Sequence, residues 1–126
     1  VVVLREAPVS KQIVKMTVNY DGRPPIKEIV MMVTYGSDGQ VQSGNLQTGK
    51  LKICKCPADI QMHEPLCGCA DKKFKYQEAT FGDSGGPVMW KDQCVGVIAG
   101  GRDIINTVYI AATSDERNAE LIQAQL

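Results

Sequence analysis

The chain has 126 residues, enough for one hydrophobic core of ordinary size and short for two. Fourteen basic side chains balance fourteen acidic ones, and no Lys/Arg cluster is dense enough to follow a phosphate backbone, so nothing points to a nucleic-acid partner. The longest apolar run, Ile29-Val30-Met31-Met32-Val33, is far too short for a bilayer-spanning helix, and no charged segment followed by an apolar one opens the chain, so no membrane partner is expected.

In chain order, Gly, Pro, Asn and Asp recur at short intervals between apolar or alternating runs, the pattern of an all-β barrel or sandwich. Val1 to Leu4 and Ile13 to Tyr20 read as strands, and Asp21-Gly22-Arg23-Pro24-Pro25 as a connector, because Pro-Pro cannot sit inside a central strand. Glu28 to Tyr35 and Gly49 to Cys56 read as strands on either side of a turn at Gly36-Ser37-Asp38-Gly39, and Pro57 to Pro65 as a loop or short helical turn. Val88 to Trp90, Cys94 to Ala99 and Thr107 to Ala112 complete the strands, with Gly100-Gly101-Arg102-Asp103 between the last two. Thr113-x-x-Glu116 reads as a capping box, and Ala119, Ile122 and Leu126 share one face of a terminal helix. The expected division is residues 1–20 as a strand and linker, 21–113 as the barrel and 114–126 as the helix.

Four of five cysteines form the pair Cys54-x-Cys56 and Cys67-x-Cys69. Residues i and i+2 of a strand share a face, so two antiparallel strands could carry two nested disulfides, which implies an oxidising compartment. Four thiolates holding zinc is the other reading, but Cys-x-Cys lacks the usual two-to-four-residue knuckle spacing. The spacing favours disulfides. Cys94, in a strand-like run, reads as a small buried apolar residue.

The segment that carries chemistry is Phe81-Gly82-Asp83-Ser84-Gly85-Gly86-Pro87-Val88. A serine hydroxyl is a weak nucleophile, so acyl transfer requires it to be exposed, placed beside a base and faced by N–H donors for the oxyanion. Glycines around Ser84 meet the backbone part of that demand. Gly82 lets its own N–H and that of Ser84 face one point, and Gly85 and Gly86 leave room for a substrate carbonyl. A bare Gly-x-Ser-x-Gly turn can lack chemistry altogether; seven consecutive residues, Gly82 to Val88, are far more specific.

Gly82 to Val88 resembles the nucleophile motif of the trypsin and chymotrypsin family of serine peptidases. Gln93-Cys94-Val95-Gly96-Val97-Ile98 resembles the family's strand leading to the substrate-binding segment, and Cys69-Ala70 its Cys-Ala before the serine. The resemblance implies an antiparallel six-stranded Greek-key barrel, the second barrel of a chymotrypsin-like fold, with a C-terminal helix. It implies Ser84 as nucleophile, the N–H groups of Gly82 and Ser84 as oxyanion hole, and Asp83 as a buried structural carboxylate. Glu78 falls near the base of the primary specificity pocket, and Ala99, Gly100 and Gly101 on the substrate-binding segment, where Gly100 replaces the usual aromatic. Cys69 would pair with Cys54 or Cys56. No cofactor is implied, and the substrate would be a peptide or protein.

Such a site needs an imidazole to take the serine proton and a carboxylate to orient it. The one histidine, His63 in Gln61-Met62-His63-Glu64-Pro65, lacks the family's catalytic-histidine context and reads as a solvated loop residue. Val1-Val2-Val3-Leu4-Arg5-Glu6-Ala7-Pro8-Val9 resembles the strand that follows the family's catalytic aspartate, so a missing N-terminal half or companion chain is expected to supply histidine and aspartate. The leading expectation is the C-terminal portion of a secreted serine endopeptidase. A catalytically inactive peptidase-like binding module is the second, and a viral 3C-like serine peptidase the third.

Overall fold

The computed structural model describes residues 1–10, 15–35, 46–69, 83–102 and 106–126. Seven strands and one helix follow in order: β1 Thr17–Val18, β2 Ile29–Thr34, β3 Gln47–Cys54, β4 Leu66–Cys69, β5 Pro87–Trp90, β6 Gln93–Arg102, β7 Thr107–Ala112 and α1 Glu116–Gln123. The sheet order β6-β5-β2-β3-β4-β7, with β7 paired back onto β6, closes six antiparallel strands into a barrel. Within it β5-β2-β3-β4 is a Greek key, three consecutive strands with the fourth returning beside the first. The fold class expected from the sequence is the one found.

Alternation builds the core. Val30 and Met32 of β2, Leu51 and Ile53 of β3, Leu66 of β4, Val88 of β5, Val95 and Ile98 of β6 and Val108, Ile110 and Ala112 of β7 point inward and are buried, with Trp90 packed against them. A strand side chain repeats its face every second residue, so β2, β3 and β7 each contribute one inward row, while in β6 a register shift against β5 lets both Val95 and Ile98 face the core. Gly96 lets β6 and β7 meet closely: a Cβ there would lie 2.5 Å from Ile110 Cγ2 and 2.7 Å from the Ala111 carbonyl oxygen.

β1 joins the barrel as a two-residue parallel strand beside β6. Asn19 holds it there. Its N–H donates to the Cys94 carbonyl at 2.9 Å, its amide donates to Gln93 Oε1 at 3.0 Å, and its carbonyl accepts the Thr113 hydroxyl. Its Oδ1 also accepts the N–H groups of Asp21 and Gly22, shaping the connector that follows.

Several expected boundaries differ. Val1 to Leu4 form no strand and are exposed; apolar, β-branched residues make a strand only where a neighbour accepts their hydrogen bonds, and none pairs with them among the described residues. Of Ile13 to Tyr20, only Thr17–Val18 is strand, and 13–14 lie outside the described residues. Gly100 to Arg102, expected between strands, continue β6, because β7 is there to pair with them through a register shift between Ile98 and Gly100. Thr113 is not the helix cap. Its hydroxyl serves Asn19, and Asp115 caps α1, accepting from the N–H groups of Arg117 at 2.9 Å and Asn118 at 3.2 Å. The helix buries no residue fully, and Leu126 lies beyond its end in the open. The turn expected at 36–39 falls outside the described residues.

Candidate active site

The serine turn stands at the entry to β5. Asp83 to Gly86 close a four-residue turn in which the Gly86 N–H donates to the Asp83 carbonyl at 3.0 Å, and Gly85 has φ +85°. That third-position φ is the one a type II turn requires, and glycine adopts it without steric cost. The turn is fastened to the sheet through its last two residues. Gly85 donates to the Ile98 carbonyl at 2.8 Å, and Ile98 donates back to Gly86 at 2.9 Å. Gly86 itself is packed tight, since a Cβ would lie 2.8 Å from Thr34 Cγ2 and 3.0 Å from the Val33 carbonyl. These contacts leave Ser84 exposed at the tip of the turn while Asp83 is buried beneath it.

The two bonds to Ile98 set the turn beside the continuation of β6. Ala99 and Gly101 are exposed and Gly100 half-buried, with the register shift falling at Ala99. The structure thus brings Ser84 and the Ala99–Gly101 segment together. Gly100 is not demanded by packing, because a Cβ there would meet nothing nearer than Tyr109 Cδ2 at 3.9 Å. Glu78 and Gly82 lie outside the described residues. Further along β6, the Arg102 guanidinium sits over the Tyr109 ring at 5.9 Å and pairs with Asp59 at 3.2 Å on the surface.

Four cysteines form two disulfides, Cys54–Cys69 and Cys56–Cys67, with Cα separations of 5.8 and 5.2 Å. The choice between disulfides and zinc is therefore settled for disulfides. In the β3–β4 ladder Cys54 lies opposite Cys67, so both bridges run diagonally and one encloses the other. Cys94 is buried, and burial pushes its thiol above the ordinary value.

His63 is not simply a solvated loop residue. The ring is half-exposed, but its Nδ1 hydrogen-bonds Oδ2 of Asp115, which is 1% exposed. That bond, more than any other influence, holds the Asp115 carboxyl below its usual range, against the opposing effect of burial. Among the described residues the hydrogen-bond partner of His63 is Asp115, not Ser84. The backbone on either side of the ring is held too: Arg23 donates to the carbonyls of Glu64 and Pro65 at 2.9 and 2.8 Å. His63, Glu64 and Asp115 bring three potential ligand atoms within 4.8 Å. Asp115 Oδ1 is already given to the helix N–H groups, and the positive end of α1 disfavours a cation there. Sequence reasoning missed this pair because His63 and Asp115 are 52 residues apart.

A closed six-stranded barrel with a C-terminal helix and a serine-bearing turn beside β6 defines the chymotrypsin-like class. The sequence profile of the trypsin family matches residues 5–116, and the chain belongs to that family. Membership sets aside the viral 3C-like reading. No curated protein matches in a direct sequence comparison. Among solved structures, a mutant of human heparin binding protein (CAP37) is similar with a TM-score of 0.76 at 14% identity, covering 95% of this chain and 53% of that one. The scabies mite inactivated protease paralogue S-I1 is similar with a TM-score of 0.64 at 17% identity, covering 86% of this chain and 51% of that one. At these identities the likeness is one of fold. The chain spans about half the length of each. No helix among the described residues is long and apolar enough to cross a membrane.

Proposed function

We propose that this chain is the serine-bearing half of a secreted chymotrypsin-like serine endopeptidase, completed by a second segment or chain that supplies the histidine and aspartate. The observation that carries this reading is the exposed Ser84 on a turn fastened to β6, in a chain whose one histidine is engaged by Asp115. Ser84 Oγ attacks the carbonyl carbon of a peptide bond while the partner's imidazole takes its proton; the oxyanion is met by the N–H groups of Ser84 and Gly82. The C–N bond breaks, the amine leaves with the proton from the imidazolium, and water hydrolyses the acyl-enzyme on Ser84 by the same route. Ala99 to Gly101 border the turn as the substrate-binding segment, Glu78 favours Lys or Arg substrates, and Asp83 holds the turn from below. Two disulfides suit an oxidising, extracellular compartment.

The second reading is a catalytically inactive binding module, favoured by the unfilled role of the base and by the likeness to a protein described as an inactivated protease paralogue. Intact-mass spectrometry of the native material, denatured after exposure to a fluorophosphonate probe, separates them. An adduct on Ser84 together with a segment carrying histidine and aspartate supports the peptidase. An unreacted Ser84 with that segment present supports the binding module.

A further inference from the structure

β6 ends in a stretch with one open edge. Gly100, Gly101 and Arg102 pair with Tyr109, Val108 and Thr107 of β7 on one side, while on the other β5 stops at Val97 and the serine turn takes Ile98. Among the described residues no strand pairs with that other edge of 99–102. Strand side chains alternate faces, so Arg102 projects from the same face as Gly100 and Tyr109. Gly100 places no side chain there, and a Cβ on it would meet nothing nearer than Tyr109 Cδ2 at 3.9 Å. The Arg102 side chain, 40% exposed, is therefore the nearest charge on that face of the segment beside the serine turn.

Arg102 is held by a partner that it can share. Its Nη1 donates to Asp59 Oδ1 at 3.2 Å and its Nη2 lies 3.2 Å from Oδ2, with the Asp59 side chain 68% exposed. An ion pair this open contributes little in water, and a guanidinium has more N–H donors than two contacts use. Asp59 sits in the 57–65 loop, which the Cys56–Cys67 bridge closes and which Arg23 and Asp115 hold through Glu64, Pro65 and His63. The carboxylate thus steadies the guanidinium at the strand end without enclosing it. We propose that Arg102 selects peptides with an acidic side chain, an inference that rests on the reading of Ala99 to Gly101 as the substrate-binding segment. The serine turn is bonded to Ile98, so a peptide strand added to the open edge with its reactive carbonyl at Ser84 runs back past Ala99, Gly100, Gly101 and Arg102 in step. The side chain opposite Arg102 then belongs to the third residue before the one whose carbonyl is attacked, and the pleat brings it to the guanidinium's face. A Glu at that position gains a charge-assisted hydrogen bond, whereas a Lys meets a like charge.

The test reads binding, in the native assembly carrying Ser84→Ala so that nothing is cleaved. Short dye-labelled peptides share a Lys at the residue beside the serine and differ only in Glu, Gln or Lys three residues earlier. By fluorescence anisotropy the Kd for the Glu peptide should lie about threefold to fivefold below that for Gln, with Lys weaker than Gln, and the spread should collapse in about 1 M salt. Arg102→Gln should remove the preference, and Asp59→Asn, which frees the guanidinium, should widen it. A pair that only ties the loop to β6 predicts the same Kd for all three peptides. Equal Kd values, no measurable binding, or a Glu preference that survives Arg102→Gln overturns the proposal; fluorophosphonate labelling of Ser84 in the unsubstituted assembly, measured alongside, then leaves the peptidase reading standing. A Glu preference lost in Arg102→Gln, with Ser84 unlabelled, supports recognition of acidic peptides and defeats hydrolysis instead.

Discussion

Nδ1 of His63 is bonded to Oδ2 of Asp115, and Oδ1 of the same carboxylate caps helix α1. One buried carboxylate thus ties the loop between the two disulfide-bearing strands to the C-terminal helix.

The tie makes stability depend on acid. The folded Asp115 carboxyl titrates below its unfolded value, chiefly through the bond from His63. A group depressed in the folded state binds fewer protons there, so its contribution is complete above the unfolded value and is lost as pH falls through the folded one. Asp115→Ala should lower Tm by several degrees at neutral pH, through loss of the cap as well as the pair. That difference should shrink below about pH 4, as followed by circular dichroism. In His63→Ala the Asp115 carboxyl should titrate higher, read by NMR of its side-chain carbonyl; an unchanged midpoint would refute the pairing.

Two glycines of β6 should answer oppositely to the same substitution. Gly96→Ala drives a methyl into Ile110 and the Ala111 carbonyl, which should cost about 1–3 kcal/mol. Gly100→Ala makes only an ordinary contact with Tyr109 Cδ2 at 3.9 Å and should change stability by no more than about 0.5 kcal/mol. Urea denaturation of the two variants provides the comparison.

The disulfides should not contribute independently. Cys54–Cys69 closes a loop of sequence separation 15, worth about 3 kcal/mol in the chain-entropy account. Cys56–Cys67, separation 11, lies inside it, so with the outer bridge intact little loop entropy is left for the inner one to remove. Replacing either pair alone by Ala should therefore cost less than that isolated-loop figure, and the two single losses should be similar in size. The inner loss should also show as faster hydrogen exchange across residues 57–66.

Cys94 should be inert. Its thiol is buried and pushed up, so little thiolate forms near neutral pH. Iodoacetamide should leave the native chain unmodified and add one carbamidomethyl group once it is unfolded without reduction. Native labelling at Cys94 would contradict its burial.

The all-β class, most strand cores and the serine turn were legible in the sequence because each is a local signal: alternation along β2 and β3, glycine at the turn, Cys-x-Cys on one strand face. Tertiary structure alone decided which cysteines pair, since i, i+2 spacing permits either nesting until the β3–β4 register is set. It decided that Thr113 serves Asn19 while Asp115 caps the helix, because the competing acceptor is 94 residues away in sequence. It decided that Val1 to Leu4 are not a strand, because a strand exists only through a partner.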